Sequence, residues 1–75
     1  MSKLSPIKAR VVIQKLERAG FVIARQTGSH VIMENEVTGK SCVVPNHGQR
    51  DIPRPTLRSI VVKQAGLTED EFLNL

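Results

Sequence analysis

The spacing of apolar residues changes twice along this 75-residue chain, from a helical period to strand-like alternation and back again. The first helical stretch carries apolar residues three and four positions apart: Ala9, Val12, Ile13, Leu16 and Ala19. Ser5 and Pro6 precede this stripe and Gly20 follows it, and these residue types favour the start and the end of a helix. The pattern therefore predicts a helix over residues 6–19.

Three short segments that follow have the composition of strands. Residues 21–24 are apolar and partly β-branched, and residues 29–34 alternate between two faces. Residues 40–44 form the third segment. Turn-forming residues separate the three, at 26–28 and again at 35–39. We therefore predict an antiparallel meander of three strands.

The last third of the chain returns to helical spacing after a loop. Residues 45–55 hold three of the four prolines and are predicted to be this loop. The second helical stripe, which ends at Gly66, has these members: Leu57, Ile60, Val61 and Gln64. Thr68 and Glu71 form a capping-box pattern, which predicts a short third helix whose Phe72 and Leu73 pack onto the body of the protein.

The order helix, three strands, helix indicates an α+β fold. A three-stranded antiparallel sheet with both helices on one face buries these apolar patterns in two layers. Double-stranded-RNA-binding domains have the same layout, which is an analogy of fold and not proof of function. A chain of this length has room for one thin core, so residues 1–75 are predicted to form a single domain.

The charge balance favours a polyanionic partner. The chain has 11 Lys and Arg against 7 Asp and Glu, a formal net charge of +4, and Glu17 is the only acid among residues 1–30. Basic surfaces bind nucleic acid because each neutralised phosphate releases counterions. The charge alone is equally consistent with an ordinary basic surface that binds no such partner.

The cysteine and histidine content limits which disulfides and metal sites the chain can form. Cys42 is the single cysteine, so an intramolecular disulfide and a cysteine-based zinc site are excluded. The two histidines lie too far apart in the sequence to make a metal motif, and we expect no cofactor. The chain has neither the apolar core of a signal peptide nor a stretch of transmembrane length, which predicts a cytoplasmic protein.

His30 is the principal candidate for chemistry. In the alternating segment it lies on the face opposite Val31 and Met33, directly after Gly28 and Ser29, where glycine allows a substrate backbone to come close. Histidine both accepts and donates protons near neutral pH. RNA cleavage needs a base for the 2′-OH and an acid for the leaving 5′-oxygen. On spacing alone, an exposed strand histidine without a catalytic task is the commoner case.

Cations near this histidine would stabilise the charge that develops on phosphorus. Arg25, on the preceding strand, and Lys40, on the following strand, are the candidates. His47 in the loop is a candidate second proton-transfer group or phosphate contact, with Asp51 nearby to orient it. Hydrogen bonding of His47 to its own turn is the commoner alternative.

Basic residues also follow the loop into the second helix. Arg50, Arg54, Arg58 and Lys63 line the loop and the second helix and would contact phosphates near the helix N-terminus, where backbone N–H groups favour anions. An ordinary solvated face is the alternative. With two Phe and no Tyr or Trp, the chain has no aromatic stacking platform, and Phe21 and Phe72 are predicted to be core residues.

Four blocks of this sequence, taken in order, resemble the HicA toxin family. The resemblance extends over roughly residues 5–67, and the combination is far more specific than any single block. The blocks are Leu16-Glu17-Arg18-Ala19-Gly20-Phe21, Arg25-Gln26-Thr27-Gly28-Ser29-His30, Val44-Pro45-Asn46-His47 and Ile52-Pro53-Arg54-Pro55-Thr56-Leu57-Arg58-Ser59-Ile60.

The resemblance implies a messenger-RNA interferase with a double-stranded-RNA-binding-like fold. It implies that the histidine of the Gly-Ser-His segment, His30 here, is catalytic, and that a HicB antitoxin covers it. The family usually has glycine where this chain has Pro55. One interpretation is that proline removes a backbone donor for a phosphate; the other is that it suits the first turn of a helix, and we favour the second interpretation.

Three functions follow from the sequence. The first is a metal-independent ribonuclease toxin that acts through His30. The second is a non-catalytic RNA-binding module with the same fold. The third is a small protein whose main role is to pair with a second chain through Ile7 and Val11, which fall off the apolar stripe of the first helix.

Overall fold

The structure is a computed structural model and describes residues 3–75. Its elements, in chain order, are β1 (Ile7–Lys8), α1 (Ala9–Arg18), β2 (Val22–Thr27), β3 (His30–Asn35), β4 (Lys40–Pro45), β5 (Asp51–Ile52), α2 (Arg54–Arg58), a π-helical segment (Ser59–Gln64) and α3 (Glu69–Leu73). β2, β3 and β4 form an antiparallel sheet in that order, and β1 pairs with β5 in a separate two-stranded sheet. The predicted α+β fold, with its short C-terminal helix, is confirmed.

The first helix begins later than the sequence predicts. Residues 7 and 8 are extended and pair with Ile52 and Asp51, so that α1 begins at Ala9 with no side-chain cap. The predicted start at Ser5 and Pro6 is therefore wrong. Strand pairing with β5 gives these backbone groups partners that a first helical turn would lack.

The β2–β3 hairpin is longer than predicted. β2 includes Gln26 and Thr27, and only Gly28 and Ser29 connect it to β3. Gly28 has a φ of 58°, a conformation that glycine adopts without the penalty of a Cβ atom. The short connection lets Thr27 pair directly with His30.

The core lies between the helices and one face of the sheet. Val31 and Met33 of β3 and Cys42 and Val44 of β4 are buried on this face. α1 and the π-helical segment pack against β4 there. The predicted alternation is confirmed, since His30 and its neighbours two and four residues on are exposed or half-buried. Every residue of β2 is exposed, because the helices do not extend over this edge strand.

The two phenylalanines lie in the core, as predicted: Phe21 is 2 % and Phe72 1 % exposed. α3 has the expected capping box, in which Thr68 and Glu71 bond reciprocally. The prediction that Leu73 also packs inward is wrong, because its side chain is 43 % exposed. Successive helical residues point about 100° apart, and this short helix directs only Phe72 at the core.

The second helical stripe forms two elements. α2 continues directly into the π-helical segment, in which hydrogen bonds reach back five residues, as from the N–H of Ala65 to the carbonyl of Ile60. Gln64 ends this segment, and its side-chain oxygen accepts a hydrogen bond from the backbone N–H of Val43 at 2.9 Å. The outer edge of β4 is thus partly capped, whereas no strand among residues 3–75 pairs with the outer edge of β2. Pro55 lies in the first turn of α2, where its missing N–H breaks no intrahelical bond.

Candidate active site at the His30 end of the sheet

His30 lies on the face of the sheet that the helices leave open. Residues directly opposite in an antiparallel pair share a face. His30 is paired with Thr27 on one side and Pro45 on the other, so the three make one row across the sheet. The imidazole is exposed at the end of β3 and therefore accessible to a large substrate.

Arg25 lies in the next row of the same face. It is opposite Ile32, two residues along β3 from His30, which places the two rows about 7 Å apart. Arg25 is exposed and has no ion-pair partner within residues 3–75. The structure therefore brings this predicted cation next to the histidine.

The loop that carries His47 is tied to the turn that precedes His30. The backbone N–H of Asn46 donates to the carbonyl oxygen of Ser29 at 2.6 Å, which continues the β3–β4 ladder past Pro45. Ser29 is half-buried and Gly28 exposed. This bond places the His47 loop at the His30 end of the sheet, although the two histidines are remote in sequence.

A cleft opens between this loop and β5. Its volume is about 230 Å³, and it is lined by Pro45, His47, Arg50, Asp51, Ile52 and Pro53. Pro45 belongs both to this cleft and to the row that contains His30. The cleft and the histidine are therefore neighbours on one surface.

Lys8 holds the rim of the cleft in place. Its Nζ donates to the carbonyl oxygen of Gln49 at 3.1 Å and lies 3.9 Å from Oδ1 of Asp51. In the part of the chain that the structure describes, no hydrogen bond joins Asp51 to His47. The suggestion that Asp51 orients His47 is thus not supported, because Lys8 is the partner of that carboxylate.

Lys40 is not near His30, contrary to the expectation from its strand. It pairs with Asn35, at the opposite end of β3, which separates it from His30 by about 17 Å along the strand. Its side chain lies on the helix side, where a Cβ at Gly66 would be 3.3 Å from the Lys40 Cε. The hairpin register decides this, since the residue closest to His30 on β4 is the last one, Pro45.

Arg54 and Arg58 both lie in α2, and each has an intramolecular contact. The Nε of Arg54 donates to the carbonyl oxygen of Leu4 at 2.9 Å, and that of Arg58 to Oε2 of Glu69 at 3.2 Å. These bonds join α2 to the N-terminal segment and to α3. A contact of either arginine with RNA remains a prediction. The structure shows in addition that both arginines connect α2 to neighbouring segments.

Lys8 is the site residue that the sequence did not reveal. It was assigned to the first helix, and its contacts depend on the pairing of β1 with β5, more than 40 residues apart. No local pattern signals that pairing. A second depression of similar size lies at the other end of the sheet, and its lining includes Lys40 together with the two acids Glu34 and Glu36, a net negative charge that does not suit a phosphate.

A comparison with known families decides the broader identity. The family model described as HicA toxin of bacterial toxin-antitoxin matches residues 9–67. The chain belongs to the HicA toxin family. The match begins with α1 and ends beyond the π-helical segment, so it includes the whole three-stranded sheet, His30 and the cleft.

Membership in the HicA family makes this chain the toxin of a bacterial toxin–antitoxin system. A search of curated proteins finds no match to it. Across residues 3–75, none of the helices has the length and apolar character needed to cross a membrane. In the same residues no three His, Cys, Asp or Glu side chains come together as a metal site would require.

Proposed function

We propose that this HicA-family toxin is an endoribonuclease that cleaves messenger RNA in the cytoplasm, with His30 as its catalytic residue. The observation that carries the proposal is the position of His30. Its imidazole is exposed on the open sheet face, Arg25 is in the adjacent row, and the His47 loop is anchored to Ser29. A proton-transfer group and cations thus share one surface of a basic protein.

The proposed reaction uses the 2′-OH of the RNA as nucleophile. One imidazole removes the 2′-OH proton while the 2′-oxygen bonds to phosphorus, and the bond from phosphorus to the 5′-oxygen breaks. An acid gives a proton to that leaving oxygen. His30 takes one of these roles, and His47 is the candidate for the other. Arg25 stabilises the additional negative charge on the phosphoryl oxygens.

The residues that would contact the RNA are assigned from their positions relative to His30. The turn at Gly28 and Ser29 lets an RNA backbone approach His30, and a Cβ at Gly28 would meet nothing within 4 Å. Arg54 and Arg58 of α2 would contact more distant phosphates, whereas the Lys40 side chain lies on the helix side at the far end of the sheet and is not part of this surface. No bound metal is required by this chemistry.

The antitoxin partner is proposed to be a HicB-type protein that covers His30. The open face also exposes apolar side chains beside the polar ones, with Val22 55 % and Val43 40 % exposed. Such groups on the same surface as His30 suit a protein partner that excludes RNA. A partner seated there would block the imidazole without altering the fold.

The deciding experiment compares the parent with His30→Ala, expressed without antitoxin. We expect the parent to stop growth and degrade messages, and the variant to do neither. Because His30 is exposed, the variant should keep the parent's melting temperature, which a thermal scan checks. Equal toxicity of the two proteins would contradict the proposal.

An assay with purified protein distinguishes RNA cleavage from RNA binding without cleavage. Incubation with RNA in excess EDTA should yield 2′,3′-cyclic phosphate and 5′-hydroxyl ends. Ends carrying a 5′-phosphate would contradict the 2′-OH mechanism. Salt-sensitive binding without any cleavage would instead identify the protein as an RNA-binding module.

A further inference from the structure

We infer that the cleft beside His30 is a binding site for a single unpaired nucleobase of the RNA. The inference rests on the proposed function for the class of its ligand. It adds a base-recognition site, made by the 45–53 segment, to the catalytic surface on the sheet. The protein would thereby hold one base adjacent to the bond that it cleaves.

The size of the cleft limits what it can hold. A cavity of about 150 Å³ accommodates one benzene ring, so a volume of about 230 Å³ suits one planar base and not a base pair. An RNA strand lying across the open face would therefore direct one base into this cleft.

The walls have the chemistry that a base requires. Pro45 and Pro53 supply apolar surface for the ring faces, while Ile52, which also lines the cleft, is a core residue that is 3 % exposed. Arg50 and His47 supply a guanidinium and an imidazole, which are planar groups that stack on bases. Both phenylalanines are buried in the core, so no phenyl ring among residues 3–75 offers an alternative platform on the surface.

Asp51 gives the cleft a hydrogen-bond acceptor. Its carboxylate lines the cleft, and Lys8 lies 3.9 Å from Oδ1. A carboxylate accepts from the exocyclic amino groups of bases, as Asp and Glu do with cytosine N4. A base with an amino group on its Watson–Crick edge would therefore be preferred over uracil.

The rim of the cleft is held from three directions. The 2.6 Å bond from Asn46 to Ser29 fixes one end of the segment, and the pairing of β5 with β1 fixes the other. Lys8 bonds to Gln49 between them. A site that is held before the ligand arrives loses less entropy on binding.

The position of Pro45 connects the cleft to the chemistry. Pro45 is directly opposite His30 in the ladder and is also a wall of the cleft. Opposite residues in an antiparallel pair have Cβ atoms about 5 Å apart. A base in the cleft is thus within one nucleotide of a phosphate placed at His30.

The test measures binding in proteins that cannot cleave, all carrying His30→Ala. The probe is a fluorescent heptanucleotide of RNA, alongside a series in which a single abasic ribose replaces each nucleotide in turn. We expect one position at which loss of the base weakens binding about tenfold, with much smaller effects elsewhere. Anisotropy titrations at one fixed salt concentration give the values.

Two charge-matched variants locate the effect. Arg50→Ala should weaken binding and remove most of the penalty at that one abasic position. Lys63→Ala also removes one exposed positive charge, but Lys63 is in the π-helical segment and does not line the cleft. It should weaken binding of every oligonucleotide alike and keep the penalty.

The outcomes distinguish this inference from the proposed function. If no single abasic position weakens binding, or if Arg50→Ala leaves that weakening unchanged, the base site is overturned even if the parent protein cleaves RNA. A position-specific penalty that Arg50→Ala removes supports the base site even if the parent proves to have no ribonuclease activity. With each of the four bases placed in turn at that position, Asp51→Asn should change the preference between the amino-bearing bases (adenine, cytosine and guanine) and uracil, and an unchanged preference overturns the role of Asp51.

Discussion

The backbone N–H of Asn46 and the carbonyl oxygen of Ser29 are 2.6 Å apart, and this bond joins the His47 loop to the turn before His30. It lies beyond the last residue of β4, so it is the final rung of the sheet at this end. The relative position of the two histidines therefore depends in part on this backbone contact, beside the bond from Lys8 to Gln49 and the pairing of β5 with β1.

Removal of this bond should reduce activity more than stability. Asn46→Pro eliminates the donor, and we expect several-fold slower RNA cleavage together with a loss of about 1 kcal/mol in the free energy of unfolding. Asn46→Ala keeps the N–H and is the matched control. Cleavage assays and urea titrations on both variants give the comparison; equal activity of the two would show that the contact does not organise the site.

Gly20 should tolerate a side chain less well than Gly39. Both have positive φ, 102° and 74°, so alanine strains either backbone by about 1 kcal/mol. A Cβ at Gly20 would also lie 3.2 Å from Nδ2 of the buried Asn35, whereas one at Gly39 meets nothing within 4 Å.

Asn35 cannot move away from such a Cβ without loss of its own bonds. Its Nδ2 donates to the carbonyl of Ala19 at 3.3 Å, and its Oδ1 accepts from the N–H of Val37 at 2.9 Å. We expect Gly20→Ala to cost about 1 kcal/mol more than Gly39→Ala in the free energy of unfolding, since a buried amide would lose a partner. Denaturant titrations of both variants measure this difference, and identical midpoints would contradict it.

Glu69 should stabilise the protein more than Asp70, although both are acids at the start of α3. Glu69 is 16 % exposed and accepts from the backbone N–H of Lys3 at 2.6 Å and from Arg58 at 3.2 Å. Asp70 is 66 % exposed, and within residues 3–75 its one ion pair is with the Lys3 side chain; this contact raises the pKa of that lysine.

The isosteric variants Glu69→Gln and Asp70→Asn test this contrast. The first should lower the free energy of unfolding by about 1–2 kcal/mol, because it removes charge from two hydrogen bonds. Asp70→Asn should leave the free energy of unfolding unchanged within error at low and at high salt, because an exposed ion pair contributes little and salt screens it. A larger effect for Asp70→Asn would overturn this account of the contacts.

Cys42 should be unreactive in the folded protein. Burial raises the pKa of its thiol to about 11, so little thiolate is present at neutral pH. Alkylation by iodoacetamide at pH 8 should therefore follow the rate of unfolding, and a fast reaction of the native protein would contradict it. An unfolded chain exposes the thiol to reagent at its ordinary pKa.

The raised pKa of the Cys42 thiol also predicts how the free energy of unfolding depends on pH. The folded thiol keeps its proton up to about pH 11, whereas the unfolded thiol releases it near pH 9, so the free energy of unfolding falls between these values. Cys42→Ala should show a shallower fall over this range, with the rest of the curve unchanged in slope. Parallel curves for the two proteins would be inconsistent with the shift.

Local chemistry in the sequence was sufficient for the order helix, three strands, helix and for the exposure of His30, but not for β1, β5 or the π-helical segment. Alternation over residues 29–34 placed Val31 and Met33 inside and His30 outside, because a strand side chain can face only one of two ways. The capping box at Thr68 and Glu71 fixed the start of α3 through contacts three residues apart. The four family blocks indicated the toxin family that the comparison then showed.

Only the tertiary structure decided which side chains surround His30. The hairpin register put Pro45 beside it and moved Lys40 to the far end of the sheet. The pairing of β1 with β5 brought Lys8 to the cleft, and the packing of α3 gave Arg58 a carboxylate partner. These contacts join residues far apart in the chain, and their geometry follows from how the whole core packs, so no local pattern determines them.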